Sequence, residues 1–191
     1  MIKSKTELQH YLAEDKSRYK AIVGKGYLIY LLKLFIRSED AICLHYLRVL
    51  RKYEYYHNTR SVLRLWYKIR HSILEDKSGI SIPINVVGPG LYIAHRGGVI
   101  INCKSMGSHC IVSSGVVCGN KNTTDSVPAI GNNVELTLGC KVIGKLDIGD
   151  NVIVAPNSVV IKSVPANCVV SGVPAQIIKS LPQKNENTSD K

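Results

Sequence analysis

Phenylalanine and tryptophan are almost missing from this 191-residue chain: there is one of each, Phe35 and Trp66. Both precede residue 70, as do all but one of the ten tyrosines, so the two parts of the chain differ in build. No two of the six cysteines form a CxxC pair, and none follows a zinc spacing, which leaves no metal motif. Cys110, Cys118 and Cys140 stand where small core residues fit. All six are therefore expected to be reduced thiols in a cytoplasmic protein. No apolar run is long enough to span a bilayer: the richest, "GYLIYLLKLFI", is short and interrupted by Lys33. It can lie on a membrane surface or form a buried helix, and the buried helix is the expectation. The opening "MIKSKTELQH" has no apolar core of a signal peptide.

Acidic residues are few as well, 14 against 25 Lys and Arg. Residues 1–78 carry 16 basic and 8 acidic residues, so most of the +11 net charge sits there. Such a surface attracts nucleic acid, anionic lipid or polyphosphate, or is simply a set of solvated helix faces. No nucleic-acid motif accompanies it, and no nucleic-acid partner is expected.

The first 78 residues read as helix. Ser38 is a candidate N-cap, followed by Glu39 and Asp40 in a first turn. Ile42, Tyr46, Val49, Leu50 and Tyr53 then recur at helical spacing as far as Asn58. A second helix is expected from Ser61 to about Leu74, with Gly79 and Pro83 ending the pattern.

From there the period becomes six. Ile130, Leu136, Val142, Ile148, Val154 and Val160 are consecutive hits. Met106, Val112 and Cys118 keep the same phase upstream, and Val87, Ile93 and Val99 keep it after a one-residue slip. "GNKNTTDSVPA" (Gly119 to Ala129) breaks the aliphatic spacing and reads as a loop leaving the repeat. A period of six fits neither an amphipathic helix nor one strand. It fits a short strand and a turn, repeated, with one aliphatic side chain per unit pointing into a shared core.

With those hexads, "GPGLYIAHRGG" (Gly88 to Gly98) and "SGVPAQIIK" after the last hexad, the chain resembles the hexapeptide-repeat acyltransferases, and among them the serine acetyltransferases. The resemblance covers about residues 75–180. It implies a mostly β fold: a left-handed parallel β-helix over 79–180, an α-helical part over 1–78 before it, and a disordered tail over 181–191. It implies acetyl-CoA as co-substrate, no metal, a homotrimer, and His95 as general base for an acceptor hydroxyl, a task that suits imidazole. Without the hexads and "GVPA", a turn histidine that hydrogen-bonds locally is the favoured reading of His95. By the same resemblance Gly139, Cys140 and Pro156 line the pantetheine groove, and Lys162 and Lys179 meet the phosphates of CoA.

Several family residues differ. Ala94 stands where the family has an aspartate for the ammonium of serine. Ile80 replaces the aspartate that orients the histidine, and Ser126, Val127 and Pro128 replace Arg-His-Pro. The ending "NENTSDK" lacks the family's terminal isoleucine, so no cysteine synthase complex is expected. These differences favour an acceptor that offers only a hydroxyl, such as a capsular or exopolysaccharide sugar, with peripheral membrane association at the inner face. The alternatives are serine O-acetylation and a catalytically silent scaffold. Asn85 is either stacked in the core, the favoured reading, or in contact with the acceptor. Arg96 either meets an anionic acceptor or faces solvent.

Overall fold

The computed structural model describes residues 1–19, 27–123 and 125–182. Most of the tail expected to be disordered, 183–191, lies outside them. Among the described residues four helices come first: α1 (Lys5–Ser17), α2 (Tyr27–Phe35), α3 (Glu39–Asn58) and α4 (Leu63–Ser78). Ser38 is the N-cap residue of α3 although its side chain makes no cap hydrogen bond, and Asn58 is that helix's last residue. The second expected helix starts two residues later than its reading and runs four further. It stops at Gly79, whose φ of +66° is open to glycine at little cost.

Fourteen short strands follow. Sheet one holds β1 (Ile80–Ser81), β3 (Val99–Ile101), β6 (Val117–Gly119), β9 (Lys141–Ile143) and β12 (Val159–Val160), all parallel. Sheet two holds β4 (Ser105–Met106), β7 (Ala129–Ile130) and β10 (Asp147–Ile148). Sheet three holds β2 (Tyr92–Ile93), β5 (Ile111–Val112), β8 (Glu135–Leu136), β11 (Ile153–Val154) and β13 (Cys168–Gly172). An antiparallel strand, β14 (Ala175–Ser180), closes that sheet against β13. The chain visits the three sheets in turn, so the sheets are the faces of a three-sided prism.

Each predicted hexad residue points inward. Ile130, Leu136, Val142, Ile148, Val154 and Val160 are all buried and align in register across coils. The segment between β6 and β7 leaves the coil where a loop is expected. The slip also has a location. Eight residues separate Ile93 from Ile101, where six separate the equivalent Val112 and Cys118. Five then separate Ile101 from Met106. The coil is thus two residues longer at the corner holding His95 and one shorter after it.

The helices dock on the first coils through polar groups that are fully used. Arg51 of α3 is wholly buried and all five of its N–H groups have acceptors. They donate to both carboxylate oxygens of Asp15 (2.8 and 3.4 Å), to Glu54 (3.2 Å), and to the carbonyls of Val87 (2.8 Å) and Gly88 (2.7 Å). Asp15 also accepts the N–H groups of Gly90 and Leu91 at 2.9 and 3.1 Å. Burial works against the Arg51 charge, but Asp15 and Glu54 beside it hold the guanidinium more basic than usual. Tyr19 hydrogen-bonds the backbone of Ile93 through its hydroxyl. These ties fix α1 and α3 against the coil that carries His95.

One expectation fails here. The helix in "GYLIYLLKLFI" is not buried: Leu28, Leu32 and Phe35 are 79, 57 and 84% exposed, and only the face with Tyr30 packs inward. Period alone tells which residues share a face, not whether anything covers it.

Candidate active site

His95 sits just after β2, on the edge where the chain turns from sheet three to sheet one. The longer coil at this corner pushes its ring outward, and its side chain is 58% exposed. The first residue of α3 reaches it from the helical part. Glu39 Oε2 lies 3.2 Å from His95 Nδ1, and Glu39 Oε1 accepts the Arg96 backbone N–H at 3.1 Å.

The carboxylate is placed by the helix start. An acidic residue in a first turn is favoured by the helix dipole, and here the same side chain faces the corner. The hydrogen bond from His95, and after it the Arg96 N–H, hold the Glu39 carboxyl below the usual carboxylate range. An ionised carboxylate can only accept, so it selects the tautomer with the proton on Nδ1. Nε2 is left with its lone pair available. In that tautomer Nε2 can accept a proton.

The edge leading away from His95 carries a line of glycines. Gly98, Gly115 and Gly139 stack there on successive coils, all with positive φ. A Cβ on Gly115 would lie 3.3 Å from the Gly139 Cα, a tight approach at a positive φ that favours glycine. Pro156 lies on the same edge one coil further and is exposed. Cys140 is on it too, but its side chain is buried and burial pushes its thiol up to about 12. Only its backbone can face a ligand. Lys141 is a residue that no motif in the sequence singles out: its ammonium donates to the carbonyls of Gly115 (2.6 Å) and Gly139 (3.1 Å), putting a cation against the ridge. The run Gly139-Cys140-Lys141 was its only sequence signal.

The remaining candidates lie elsewhere. Lys162 is exposed beyond β12, past sheet one. Lys179 is exposed on β14, paired with Val169 at the start of β13, toward the opposite edge of sheet three. The structure therefore gathers His95, Gly139, Cys140 and Pro156 on one edge and leaves both lysines off it. Asn85 is neither stacked in the core nor beside His95. With φ +64° it pairs amide to amide with Asn58 (2.7 and 3.0 Å), and its N–H donates to Glu54 at 2.8 Å. It locks the end of α3 to the first coil. What the structure shows for Arg96 is its backbone N–H, the second anchor of Glu39. Ser126, Val127 and Pro128 belong to the loop between sheets one and two, a different edge from His95. Among the described residues no group of three or more His, Cys, Asp or Glu could hold a metal ion, and no helix is long and apolar enough to cross a membrane.

No family model matches the chain. Sequence comparison finds the serine acetyltransferase of Synechococcus elongatus, 37% identical over 95 residues, covering 48% of this chain and 39% of that protein. The serine acetyltransferase of Staphylococcus aureus is 38% identical over 106 residues, covering 53% and 50%. Among solved structures, the serine acetyltransferase of Brucella abortus strain S19 superposes with a TM-score of 0.71 at 26% identity, over 92% of this chain and 70% of that one. The fold is thus a left-handed parallel β-helix with a helical N-terminal part. In fold and repeat sequence the chain is similar to the serine acetyltransferase family. It spans about half the length, or less, of the curated relatives it matches.

Proposed function

We propose that the chain is an acetyl-CoA-dependent O-acetyltransferase with His95 as general base and Glu39 as the carboxylate that positions it. The observation that carries this reading is the Glu39–His95 pair, with the Arg96 N–H on the second carboxylate oxygen, at the head of a glycine-lined edge. Glu39 supplies what Ile80 cannot. Histidine keeps its orienting acid, but the acid comes from the helical part.

In the reaction, the acceptor hydroxyl gives its proton to His95 Nε2 as its oxygen attacks the thioester carbonyl. The tetrahedral intermediate collapses, the C–S bond breaks, and the leaving thiolate recovers the proton from Nε2 as free CoA. Each product is neutral at the reacting centre and no acyl-enzyme is formed, so the buried thiols take no part. A base of this kind is worth roughly 10²–10⁴-fold in rate. Serine acetyltransferases of the same fold have been solved with coenzyme A. A pantetheine arm laid on the Gly98–Gly115–Gly139 edge would meet backbone and the Lys141 cation. A homotrimer, with a neighbouring prism walling this open edge, suits an exposed His95.

Two acceptors follow from different observations. The relatives' names favour L-serine, and Glu39 now offers a carboxylate that its ammonium could share. Ala94 favours a sugar hydroxyl without amino-acid charges, because unpaired charges in a closed site cost several kcal/mol, roughly. The test is thiol release from acetyl-CoA with either L-serine or nucleotide sugars. Turnover with serine at millimolar concentration removes the polysaccharide reading. Turnover only with a sugar removes the serine reading. A protein that binds no acetyl-CoA and turns over neither is the silent scaffold.

A further inference from the structure

Two helices of the N-terminal part carry apolar stripes on their outer faces. On α2 these are Leu28, Leu31, Leu32 and Phe35, at the i, i+3, i+4, i+7 spacing of one helix face. On α4, Trp66, Ile69 and Ile73 form a second stripe, 49, 61 and 47% exposed. The inner faces are already occupied: Tyr30 of α2 and Tyr67, His71 and Ser78 of α4 are buried, and Leu34 and Leu74 pack against the core beside them. An ordinary surface helix keeps its outer face polar.

Between the stripes, across α3, lies a cavity of about 190 Å³. Arg48, Lys52 and Arg70 line it together with His45, and no acidic residue does. Leu31 reaches its rim from α2. Arg70 reaches it from α4 while lying over the Trp66 ring at 4.6 Å. Arg48 lies over Tyr30 at 4.4 Å, and Tyr30 is hydrogen-bonded to His45 at 3.2 Å. Burial, and then the charges of Arg70, Arg48 and Lys52, make His45 harder to protonate. The pocket is positive with no counter-charge among its lining groups.

We infer that α2, α4 and the cavity between them form a docking surface for an anionic lipid bilayer, with a lipid phosphate over Arg48, Lys52 and Arg70 and the two apolar stripes in the acyl boundary. Charge decides between occupants. A second copy of the chain brought face to face here would set like charges against each other, whereas an anionic headgroup layer matches them. Amphipathic helices with Trp and Leu outward and Arg or Lys beside them bind membranes in this way. The inference is independent of the acyl-transfer reading, because bilayer binding needs no acetyl-CoA.

The test is co-sedimentation of the full chain with vesicles of phosphatidylcholine alone or mixed with phosphatidylglycerol, at low and high salt, with inorganic phosphate as competitor. Binding is expected only with phosphatidylglycerol, weakening with salt but surviving millimolar phosphate. Arg48→Gln with Lys52→Gln should weaken it by about fivefold per charge removed. Leu32→Ser with Phe35→Ser should abolish it while acetyl-CoA binding and the melting curve stay unchanged. No binding by the wild-type chain, or equal binding to neutral vesicles, overturns the proposal. So does displacement by phosphate alone, or a chain that ignores vesicles but self-associates through Phe35. The wild-type comparison of the two lipid compositions stands even if a variant fails to fold.

Discussion

Glu39→Gln isolates the contact on which the catalytic reading depends. It keeps the shape of the side chain but removes the charge that both His95 Nδ1 and the Arg96 N–H meet. A hydrogen bond to a charged group is worth about 1.5–3 kcal/mol, roughly twice a neutral one. Here the separation is 3.2 Å and the side chains are 58 and 44% exposed, so solvent takes much of that. About 0.5–1 kcal/mol should remain, a fall of about 2- to 5-fold in kcat. The KM for acetyl-CoA should hardly move, because Glu39 touches only the histidine and its neighbour. In a His95→Ala background the same substitution should be nearly silent, since its effect passes through the imidazole. Glu39→Asp should restore part of the rate. The assay is steady-state thiol release from acetyl-CoA with saturating acceptor. A variant with wild-type kcat, or one whose loss is just as large without His95, would refute the pairing as a catalytic device.

Three other outcomes follow from the same structure. Arg51→Leu strands the buried carboxylates of Asp15 and Glu54 and should cost about 3–5 kcal/mol in urea unfolding; a loss under about 1 kcal/mol would mean water reaches the network. The folded Glu39 carboxyl is held below its unfolded range, so its stabilising contribution is complete above about pH 4.5 and fades as pH falls through the folded value. The stability gap between wild type and Glu39→Gln should therefore vanish in strong acid, and a gap that widened there would have the wrong sign. Gly139→Ala places a Cβ at φ +70° against the Asn157 side chain. It should destabilise the coil by about 1–3 kcal/mol and weaken acetyl-CoA binding, readable by melting and calorimetry.

The β-helix was legible because its core admits one aliphatic residue per hexad, and Ile130 through Val160 show it without interruption. The one-residue slip was visible too, though not that it hides two extra residues at the histidine corner and one missing after it. Glu39 was not legible as a site residue. It is 56 residues from His95 and looks like any acid in a first helical turn. Its role exists only because Arg51, Asp15 and Asn85 dock α3 on the first coils. The exposure of α2 is not legible for a related reason: Leu28 and Phe35 look like core until packing shows that Tyr30 holds the inner face. Lys162 and Lys179 matched motif positions, yet the coil geometry sends them away from the glycine edge that Lys141 occupies.

The central claim is that His95, positioned by Glu39, takes the proton in a direct transfer from acetyl-CoA. The most direct measurement is kcat for His95→Ala beside its dissociation constant for acetyl-CoA. The expected result is a rate lower by about 10²–10⁴-fold with the dissociation constant unchanged. A variant that keeps its rate would contradict it.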